Sequence, residues 1–407
     1  MQKENTLVGI DIGTTKIAVT IGRVDEGLIN IIGFSRIANA GMRKGIITDI
    51  EDAVSALTSA LEEAERVAGT PITSAYVSIG GAHIDSTVSK GVVAVSRGDG
   101  EITGSDVNRV LEAAQNMALP PNREIVHIIP KCFIIDGQDG ISDPINMNGI
   151  RLEVEAVVVS GATNAVKNIH KCLQQAGVAI DGMIYSPIAS AQVLISKKQK
   201  ELGVALVDIG AGTTSIAVFD NGDILHCAVL PIGSMHITND IAIGLRTSLE
   251  VAEKIKTNYG CAIPENISET ETINLANFDP QDAQKVDRKY VSEIIHARLM
   301  EIFSMIREEL RKIGKDGMLP AGIVFTGGGS KLEDLITLAK EELRLPAQLG
   351  MPLFEMSGLV DKIDPSIYST STGLILYALE NQTQPQSKID PSGMIDKAKG
   401  FLKQFLP

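Results

Sequence analysis

The sequence predicts an α/β protein built from two halves of similar design, each with a mixed β-sheet. Strand-like and helix-like patterns alternate throughout its 407 residues, which is typical of this class. A short motif with the pattern of a β-hairpin occurs twice, and a buried strand ending in three glycines follows later. A chain of this length can form two or more domains with hydrophobic cores of their own.

The repeated motif lies once near the N-terminus and once near the middle of the chain. Its copies read Gly9-Ile-Asp-Ile-Gly-Thr-Thr-Lys-Ile-Ala-Val19 and Val207-Asp-Ile-Gly-Ala-Gly-Thr-Thr-Ser-Ile-Ala-Val218. Each copy predicts two strands joined by a tip whose backbone N–H groups and hydroxyls suit phosphate oxygens. A carboxylate beside phosphate would be repelled unless a cation lay between them, so we expect Asp11 and Asp208 to hold Mg²⁺ through water. Two such hairpins predict one nucleotide clamped between them.

Further elements are predicted between the two hairpins. A strand, an amphipathic helix and a second strand are expected over 29–34, 49–67 and 74–80. From residue 82 to about 160 the pattern changes to short strands and one helix over 105–117, with turn signals at Pro120-Pro121, Asp136-Gly137 and Asp139-Gly140. We interpret this segment as an inserted subdomain. Helical patterns return over 165–175 and 188–195.

The second half begins at Val204 with the second hairpin. Helices are predicted over 234–245, 248–259 and 289–313, with a polar stretch to Asp287 before the last of them. A buried strand is predicted from Gly322, and it ends in three glycines. A helix is expected to begin after these glycines, so that a nucleotide can lie against backbone that carries no side chains. The small residues 369–373 lead into a predicted helix over 374–379, where we expect the two halves to cross. Ordered structure is expected to end near Glu380.

Composition excludes several classes of function. The formal net charge is −13, whereas nucleic-acid-binding proteins present a basic surface, so we expect no nucleic-acid partner. The widely spaced cysteines lack the pattern of a zinc site or a disulfide framework, which favours a reducing cytosol; they are Cys132, Cys172, Cys227 and Cys261. We expect neither a signal peptide nor a membrane-spanning helix, because no apolar stretch is long enough.

The segment 393–407 predicts an amphipathic helix. Its apolar residues recur at helical spacing on one face, with lysines outside that face. The preceding segment 381–392, rich in Gln, Pro and Ser, predicts a flexible tether. A tethered helix of this kind can bind an anionic membrane reversibly, and the alternative is a tail that packs on its own body. The expected membrane-binding residues are Met394, Ile395, Lys397, Phe401, Leu402, Lys403, Phe405 and Leu406.

The arrangement of the motifs resembles the actin, hexokinase and heat-shock chaperone superfamily. The resemblance covers the first 380 residues and rests on the two Asp-Ile-Gly hairpins, the Gly-Gly-Gly loop and the two small-residue helices. It implies an actin-like ATPase fold of two ribonuclease-H-like lobes, with ATP and Mg²⁺ in the cleft between them. The two crossing helices would be the hinge.

Within that superfamily the chain is similar to the FtsA family of bacterial cell-division proteins. The likeness lies in residues 122–144 and 149–154 and in the position of the insertion after Ser78-Ile-Gly-Gly-Ala-His83. It implies an ATP-binding protein that polymerises head to tail and tethers the FtsZ ring to the inner face of the cytoplasmic membrane at the division site. The inserted subdomain would recruit later division proteins. The C-terminal peptide of FtsZ would bind the smaller lobe, on the helix face containing Arg298.

This interpretation divides the chain into six parts. The first lobe is expected over 1–82, 163–195 and 355–380, and the second over 196–233 and 300–354. The inserted α+β subdomain takes 83–162, and a small subdomain of the second lobe takes 234–299. The linker and the membrane-targeting helix follow over 381–392 and 393–407.

The resemblance assigns nucleotide-binding residues to both lobes. Lys16 is expected to contact the phosphates, and Glu253 and Lys256 match a family helix that reaches the ribose and base. On sequence alone these two could equally be a surface pair on a solvated helix. The expected set is Gly13, Thr14, Thr15, Lys16, Gly210, Gly212, Thr213, Thr214, Gly233, Glu253, Lys256, Gly327, Gly328, Gly329 and Ser330.

Hydrolysis of ATP is expected to be slow or negligible. Many actin-like enzymes place Glu or Gln before the Pro of the first connecting helix to orient the attacking water, and here Ser186 precedes Pro187. The motifs offer no His or second carboxylate as a general base. Two other functions stay open. One is a small-molecule kinase of the same fold, for which we find no substrate-binding carboxylate motif. The other is a pilus-assembly-type adaptor, and the predicted membrane-binding helix over 393–407 argues against it.

Overall fold

The computed structural model describes residues 6–25, 28–116, 119–280, 284–354 and 356–383. The predicted membrane-binding helix and all but the start of the predicted tether lie outside these ranges. Within the described ranges, no helix is long and apolar enough to cross a membrane.

The strands and helices follow one another in a mixed order. The strands are β1 (Thr6–Ile12), β2 (Lys16–Asp25), β3 (Leu28–Ala38), β4 (Met42–Arg43), β5 (Ile46–Ile47), β6 (Ser74–Ile79), β7 (Asp85–Ala94), β8 (Arg123–Ile135), β9 (Gln138–Ile141), β10 (Arg151–Ala162), β11 (Ala179–Tyr185), β12 (Val204–Ile209), β13 (Thr214–Asp220), β14 (Asp223–Leu230), β15 (Thr272–Asn274), β16 (Lys285–Asp287), β17 (Ile323–Thr326), β18 (Ala347–Leu349) and β19 (Met356–Gly358). The helices are α1 (Ile50–Ala68), α2 (Gly104–Asn116), α3 (Thr163–Gln175), α4 (Ser186–Leu194), α5 (Lys197–Leu202), α6 (Ser234–Leu245), α7 (Leu249–Tyr259), α8 (Arg288–Lys312), α9 (Leu335–Leu343) and α10 (Pro365–Thr383).

Two sheets of the same design form the centres of two lobes. The first has the order β11-β6-β1-β2-β3-β19, with β1, β2 and β3 antiparallel and β1, β6 and β11 parallel. The second has the order β14-β13-β12-β17-β18, again with an antiparallel trio and a parallel trio that share one strand. Both predicted hairpins and the predicted duplication are therefore confirmed.

Helix α1 shows how local sequence signals set an element of the first lobe. The Asp49 carboxylate accepts a hydrogen bond from the Asp52 N–H, and Gly69 ends the helix in the left-handed conformation. Its buried stripe packs on β2 and β3 and consists of Ala53, Ala56, Leu57, Ala60, Leu61 and Ala64. The helix predicted over 49–67 is confirmed.

The inserted segment folds as a four-stranded sheet, β7-β10-β8-β9, with α2 packed on it. It has its own apolar core, which includes Ile102, Val110 and Leu152. Its main strands are long, so the prediction of short strands was wrong. Pro130 lies inside β8, where the register with β10 passes from Cys132 to Pro130 and leaves Lys131 in a bulge, so that a missing N–H is tolerated.

The hinge region also differs from the prediction. Helix α10 begins at Pro365, earlier than the predicted 374, because the Asp364 carboxylate accepts hydrogen bonds from the N–H and hydroxyl of Ser366. The small residues lie inside the helix, where a Cβ on Gly373 would come within 1.9 Å of the Ala189 carbonyl oxygen of α4. The predicted crossing of two helices is confirmed, and α10 continues to Thr383, past the expected start of the tether.

Candidate functional site

A cavity of about 780 Å³ opens between the two lobes, with the tips of both hairpins on its walls. The first turns of α4, α6, α7 and α10 also line it. The N-terminal turn of a helix presents unpaired N–H groups and the positive end of the helix dipole. Several such ends in one cavity favour an anionic ligand.

The first hairpin supports its carboxylate with two partners. The Ser78 hydroxyl donates to Asp11 Oδ1 at 2.8 Å and accepts from the Ile12 N–H at 3.1 Å. Burial raises the pKa of Asp11, and the positive charge of Lys16 and the Ser78 hydrogen bond oppose that rise. Near its end, the β1 strand thus carries a half-buried carboxylate that Ser78 holds in position and whose charge Lys16 partly balances.

The second hairpin places Asp208 at the matching end of β12. Burial and the negative charge of Asp11 raise the pKa of Asp208 to about 6, and Lys16 opposes the rise. Among the described residues, no hydrogen-bond donor contacts the Asp208 carboxylate. Gly327, with φ of 84°, lies directly behind it, since a Cβ there would be 2.1 Å from Asp208 Oδ1. Any other residue at 327 would displace this carboxylate.

The charge balance of the cavity suits a divalent cation. Asp11 and Asp208 share one half-buried ammonium group, that of Lys16, and desolvation lowers the pKa of Lys16. Among the described residues no third Asp, Glu, His or Cys completes a metal-binding group. The pair therefore fits an ion such as Mg²⁺ that keeps most of its water ligands and takes phosphate oxygens.

The two hairpin tips have equal length but different residues. Gly13 N–H bonds to the Lys16 carbonyl and Gly210 N–H to the Thr213 carbonyl, each at 2.9 Å. Ile12 pairs with Ile17, and Ile209 pairs with Thr214. The Thr-Thr pairs of the two copies are therefore not in equivalent places, because Thr214 corresponds to Ile17. Thr214 is buried and donates to the Ile232 carbonyl at 2.9 Å, whereas Thr213 lines the cavity.

Glu253 and Lys256 of α7 lie on the wall formed by the small lobe. The Lys256 ammonium group is buried and donates to Glu253 Oε2 at 2.7 Å and to the Thr238 hydroxyl at 2.9 Å. It also donates to the Ser234 carbonyl at 3.2 Å. Burial lowers the pKa of Lys256, and Glu253 opposes this. The interpretation as a solvated surface pair is wrong for Lys256, although Glu253 is partly exposed.

The structure brings most, but not all, of the expected nucleotide-binding residues to the cavity. Those on its walls are Gly13, Thr14, Thr15, Lys16, Gly210, Thr213, Glu253, Lys256, Gly327 and Gly328. The others, Gly212, Thr214, Gly233, Gly329 and Ser330, lie behind these walls. Ser330 donates to the Gly327 carbonyl, and a Cβ on Gly233 would meet the Gly210 carbonyl at 2.6 Å. These positions shape the backbone of the cavity.

Several cavity residues were missed by sequence reasoning. They come from separate parts of the chain and include Arg36, Gly45, Ser234, Lys331, Ser366, Ile367 and Thr370. The Lys16 ammonium group donates to the Ile367 carbonyl at 2.8 Å, which ties the first hairpin to the first turn of α10. No local motif marks these contacts, although the Asp364-Pro365-Ser366 start of α10 is a readable helix signal.

Ser186 lines the cavity at the start of α4, where the sequence argument placed it. Its hydroxyl donates to the Ile79 carbonyl at 3.0 Å. A carboxylate or amide side chain long enough to orient a water molecule is absent at this position. The Ser186 hydroxyl is instead bonded to the end of β6.

Arg298 lies outside this cavity, on a second one of about 390 Å³ in the small lobe. Its guanidinium group donates to both carboxylate oxygens of Asp240, at 2.6 and 2.9 Å, and also contacts Glu301. Exposed Ile243 and Tyr290 lie on the same cavity. It therefore combines charged and apolar groups on α6 and α8.

Comparison with known families identifies two matching segments. The family described as "Cell division protein FtsA" matches residues 205–373, and "SHS2 domain inserted in FTSA" matches residues 81–160. The second range contains β7, α2, β8 and β9.

Curated relatives match over nearly the whole chain. Cell division protein FtsA of Pseudomonas aeruginosa is 40% identical over 388 residues, covering 95% of this chain and 92% of the relative. Cell division protein FtsA of Bacillus subtilis is 39% identical over 381 residues, covering 94% of this chain and 85% of the relative.

Solved structures share the two-lobed architecture. The PilM–PilN type IV pilus biogenesis complex matches with a TM-score of 0.67 at 15% identity, covering 93% of this chain and 99% of that chain. MreB5 of Spiroplasma citri bound to ADP matches with a TM-score of 0.53 at 12% identity, covering 93% and 98%. At these identities the likeness concerns the fold, and the predicted actin-like fold with an inserted subdomain is confirmed.

Proposed function

This chain belongs to the FtsA family of cell division proteins, and on that premise we propose that it is an ATP-dependent membrane tether of the division ring. In this proposal the chain binds Mg-ATP between its lobes and assembles head to tail. It links the FtsZ ring to the cytoplasmic face of the membrane at the division site, and its inserted subdomain recruits later division proteins. The observation that carries the proposal is the pair of hairpins that bring Asp11, Lys16 and Asp208 to one cavity.

Several features of the cavity support ATP as the ligand. The hairpin tips and the N-terminal turns of several helices offer N–H groups to phosphates, and Lys16 adds a charge. The buried Lys256 and the bare backbone at Gly327 and Gly328 offer a wall for the adenosine. The MreB5 structure with the same fold contains ADP, which is a precedent for a nucleotide in this kind of cleft.

Mg²⁺ is proposed as the accompanying ion. Asp11 and Asp208 would hold it through water, and its charge would favour the ionised state of both carboxylates. When bound, the ion would neutralise phosphate charge and orient the nucleotide. The residues of this chain supply the position, since Ser78 fixes Asp11 and Gly327 leaves room for Asp208.

Slow hydrolysis remains our prediction. Ser186 cannot reach a water molecule in the way a Glu or Gln can, and its hydroxyl is already bonded to Ile79. Without a positioned base, electrostatic stabilisation by the ion and the amides leaves the attacking water poorly oriented. Single-turnover release of phosphate should be far slower than nucleotide dissociation, and fast multiple turnover would contradict this prediction.

The cavity around Arg298 is proposed as the binding site of the FtsZ C-terminal peptide. It offers Ile243 and Tyr290 as apolar contacts beside the Arg298, Asp240 and Glu301 charges. A peptide with both apolar and charged residues would find partners for each there. Arg298→Glu should weaken binding of that peptide and leave ATP binding unchanged, as measured by fluorescence anisotropy.

Assembly and membrane binding complete the proposal. Contacts between unlike faces of a two-lobed body produce open filaments when the rotation does not close. The predicted helix over 393–407 would hold the filament on anionic lipids, and reversible binding would couple recruitment to assembly. A small-molecule kinase of this fold would need neither filaments nor such a tail.

The test is co-sedimentation with anionic lipid vesicles, with and without Mg-ATP, for the full chain and for a chain ending at Ser392. The proposal predicts that only the full chain pellets and that Mg-ATP increases the pelleted fraction. ATP binding should be equal in both chains, which is the control for folding. Pelleting of neither chain would contradict the tether, and pelleting of both would contradict the role of the tail.

A further inference from the structure

Helices α4 and α10 define an end of the molecule that lies away from the cleft. Both begin at the cavity, at Ser186 and Pro365, and they cross where Gly373 meets the Ala189 carbonyl. Their C-terminal ends therefore lie on the side opposite the nucleotide cavity. We call the surface around these two C-terminal ends the distal end.

The loop over 349–354, between β18 and β19, exposes apolar side chains at the distal end. Its exposed residues are Leu349, Met351, Leu353 and Phe354, with between 44% and 64% of each residue accessible. The backbone is fixed, because Gly350 N–H donates to the Phe325 carbonyl at 2.8 Å and Leu353 N–H donates to the Val193 carbonyl of α4 at 2.9 Å. An anchored loop with several exposed apolar side chains is typical of an interaction site.

Helix α5 extends this surface with both apolar and basic side chains. Leu202 at its end and Met318 nearby are 49% and 66% exposed, and their segments are joined by the hydrogen bond from Ala321 N–H to the Gly203 carbonyl. Lys197 and Lys198 in its first turn are exposed, as is Glu201 near its end. In a chain of net charge −13, a surface that combines exposed apolar side chains with lysines suits an anionic lipid surface.

The chain also leaves the described structure at the distal end. Burial lowers the pKa of Lys200 in α5, and the negative charge of Glu380, in the last turns of α10, opposes this, so the two side chains are near each other. Lys200 also donates to Gln192 of α4 at 3.2 Å. The residues after Thr383, which contain the predicted membrane-binding helix, are therefore attached beside the exposed loop.

We propose that the loop over 349–354 is a second membrane contact, which inserts Met351, Leu353 and Phe354 into the headgroup boundary of an anionic bilayer. The proposal rests on the proposed membrane binding of the tail. Once the tail holds the bilayer, the loop binds it at high effective concentration, because both are parts of one chain. Two contacts also fix the orientation of the body, with the nucleotide cavity and the small lobe directed away from the lipid.

The test uses tryptophan as a reporter, since the chain contains no Trp. Phe354→Trp gives a single fluorophore in the loop, and Ile150→Trp gives a matched control at an exposed position of the inserted subdomain. The full chain is mixed with vesicles of phosphatidylglycerol and phosphatidylcholine, with brominated lipids in a parallel sample. The proposal predicts a blue shift and quenching for Phe354→Trp and neither for Ile150→Trp.

Other outcomes separate the loop from the tail. If the Phe354→Trp chain pellets with vesicles but its emission is unchanged, the loop proposal is overturned and the tail stands. If it does not pellet, the proposed tether itself fails, and the loop proposal with it. A blue shift that is present without vesicles and lost in a chain ending at Ser392 would show that the tail covers the loop, which also overturns the proposal.

A charge substitution measures the contribution of the loop. Met351→Glu combined with Phe354→Glu should weaken vesicle affinity about tenfold, because two apolar contacts are lost. Ile150→Glu, at an exposed position of the inserted subdomain, is the control and should leave the affinity unchanged. Equal thermal unfolding midpoints and equal ATP binding would show that both variants are folded, and an unchanged affinity of the loop variant would overturn the proposal.

Discussion

Asp11 in the first hairpin accepts a hydrogen bond from Ser78 and lies beside Lys16, whereas Asp208 in the second hairpin has no such hydrogen bond among the described residues. Burial raises the pKa of both carboxylates, and the negative charge of Asp11 adds to the rise at Asp208, whose pKa is about 6. The topology of the two hairpins is the same, and their tips have the same length. The two hairpins therefore have the same backbone arrangement, but the groups around their carboxylates differ.

The difference assigns separate roles to the two lobes. The first hairpin carries its own cation, and Thr213 occupies the corresponding place in the second. Within the described residues of the second lobe, no cation of that hairpin balances Asp208, and only Lys16 of the first lobe opposes the rise of its pKa. A cation that enters with the nucleotide would join the lobes, because it would interact with a carboxylate from each.

The largest expected effect comes from removing the space behind Asp208. Gly327→Ala places a Cβ 2.1 Å from Asp208 Oδ1 at a positive φ of 84°, so the carboxylate must move. We expect ATP affinity to fall about a hundredfold or more, as measured by calorimetry. Gly317→Ala is the control, because Gly317 has a similar positive φ of 69°, a Cβ there meets no atom within 4 Å, and it does not line the cavity. Similar losses in both variants would contradict the account.

The next largest effect is expected from removing the Lys16 ammonium group, which has no counterpart in the second hairpin. Lys16→Met removes the ammonium group shared by both carboxylates and its bond to the Ile367 carbonyl. ATP affinity should fall by about tenfold to a hundredfold, since a charge-assisted contact with phosphate is lost. Equilibrium binding of a fluorescent ATP analogue measures the change. An unchanged affinity would mean that Lys16 only binds the Ile367 carbonyl of α10 and does not contact the phosphates.

A pH series distinguishes the carboxylates in the chain freed of metal and nucleotide. The folded pKa of Asp208 is about 6 and exceeds the value in the unfolded chain. Its contribution to stability is therefore complete at low pH and is lost as the pH rises through about 6. The thermal unfolding midpoint, measured with a chelator present, should fall over this range. Asp208→Asn should flatten the fall, and an equal fall in the variant would contradict the assignment.

The smallest effect tests the shifted threonines. Thr214→Val removes the hydrogen bond to the Ile232 carbonyl and should destabilise the fold by about 1 kcal/mol, with ATP affinity unchanged. Thr213→Val should lower ATP affinity without a comparable loss of stability, because its side chain lines the cavity. Thermal unfolding and calorimetry on both variants separate these outcomes. If Thr214→Val lowered ATP affinity and Thr213→Val only destabilised the fold, the assignment of the two threonines would be wrong.

Local signals explain how much of the fold could be predicted. Both hairpins and helices α1, α6 and α7 were predicted within one or two residues, because periodicity and capping residues such as Asp49 and Ser248 act over a few positions. The early start of α10 at Pro365 was missed, although Asp364 supplies a local cap. Among the strands of the inserted subdomain, the full length of β8 was missed because a bulge at Lys131 accommodates Pro130 within the strand.

The residues of the cavity could be predicted only where they belong to a recognisable sequence motif. The Gly-rich tips and both carboxylates were found, whereas Arg36 and the Ile367 carbonyl come from segments with no phosphate-binding pattern. The shift of Thr214 into the core follows from strand register. Register depends on the pairing between strands. The repeated Thr-Thr sequence alone would therefore align Thr213-Thr214 with Thr14-Thr15, whereas the strand pairing does not.

Calorimetric titration of ATP into the full chain and into Asp208→Asn, with Mg²⁺ and with a chelator, shows whether Asp208 couples the cation to the nucleotide. Mg²⁺ should strengthen ATP binding to the native chain, and this gain should be largely lost in Asp208→Asn. An equal gain from Mg²⁺ in both chains, or no ATP binding to the native chain, would contradict this role of Asp208.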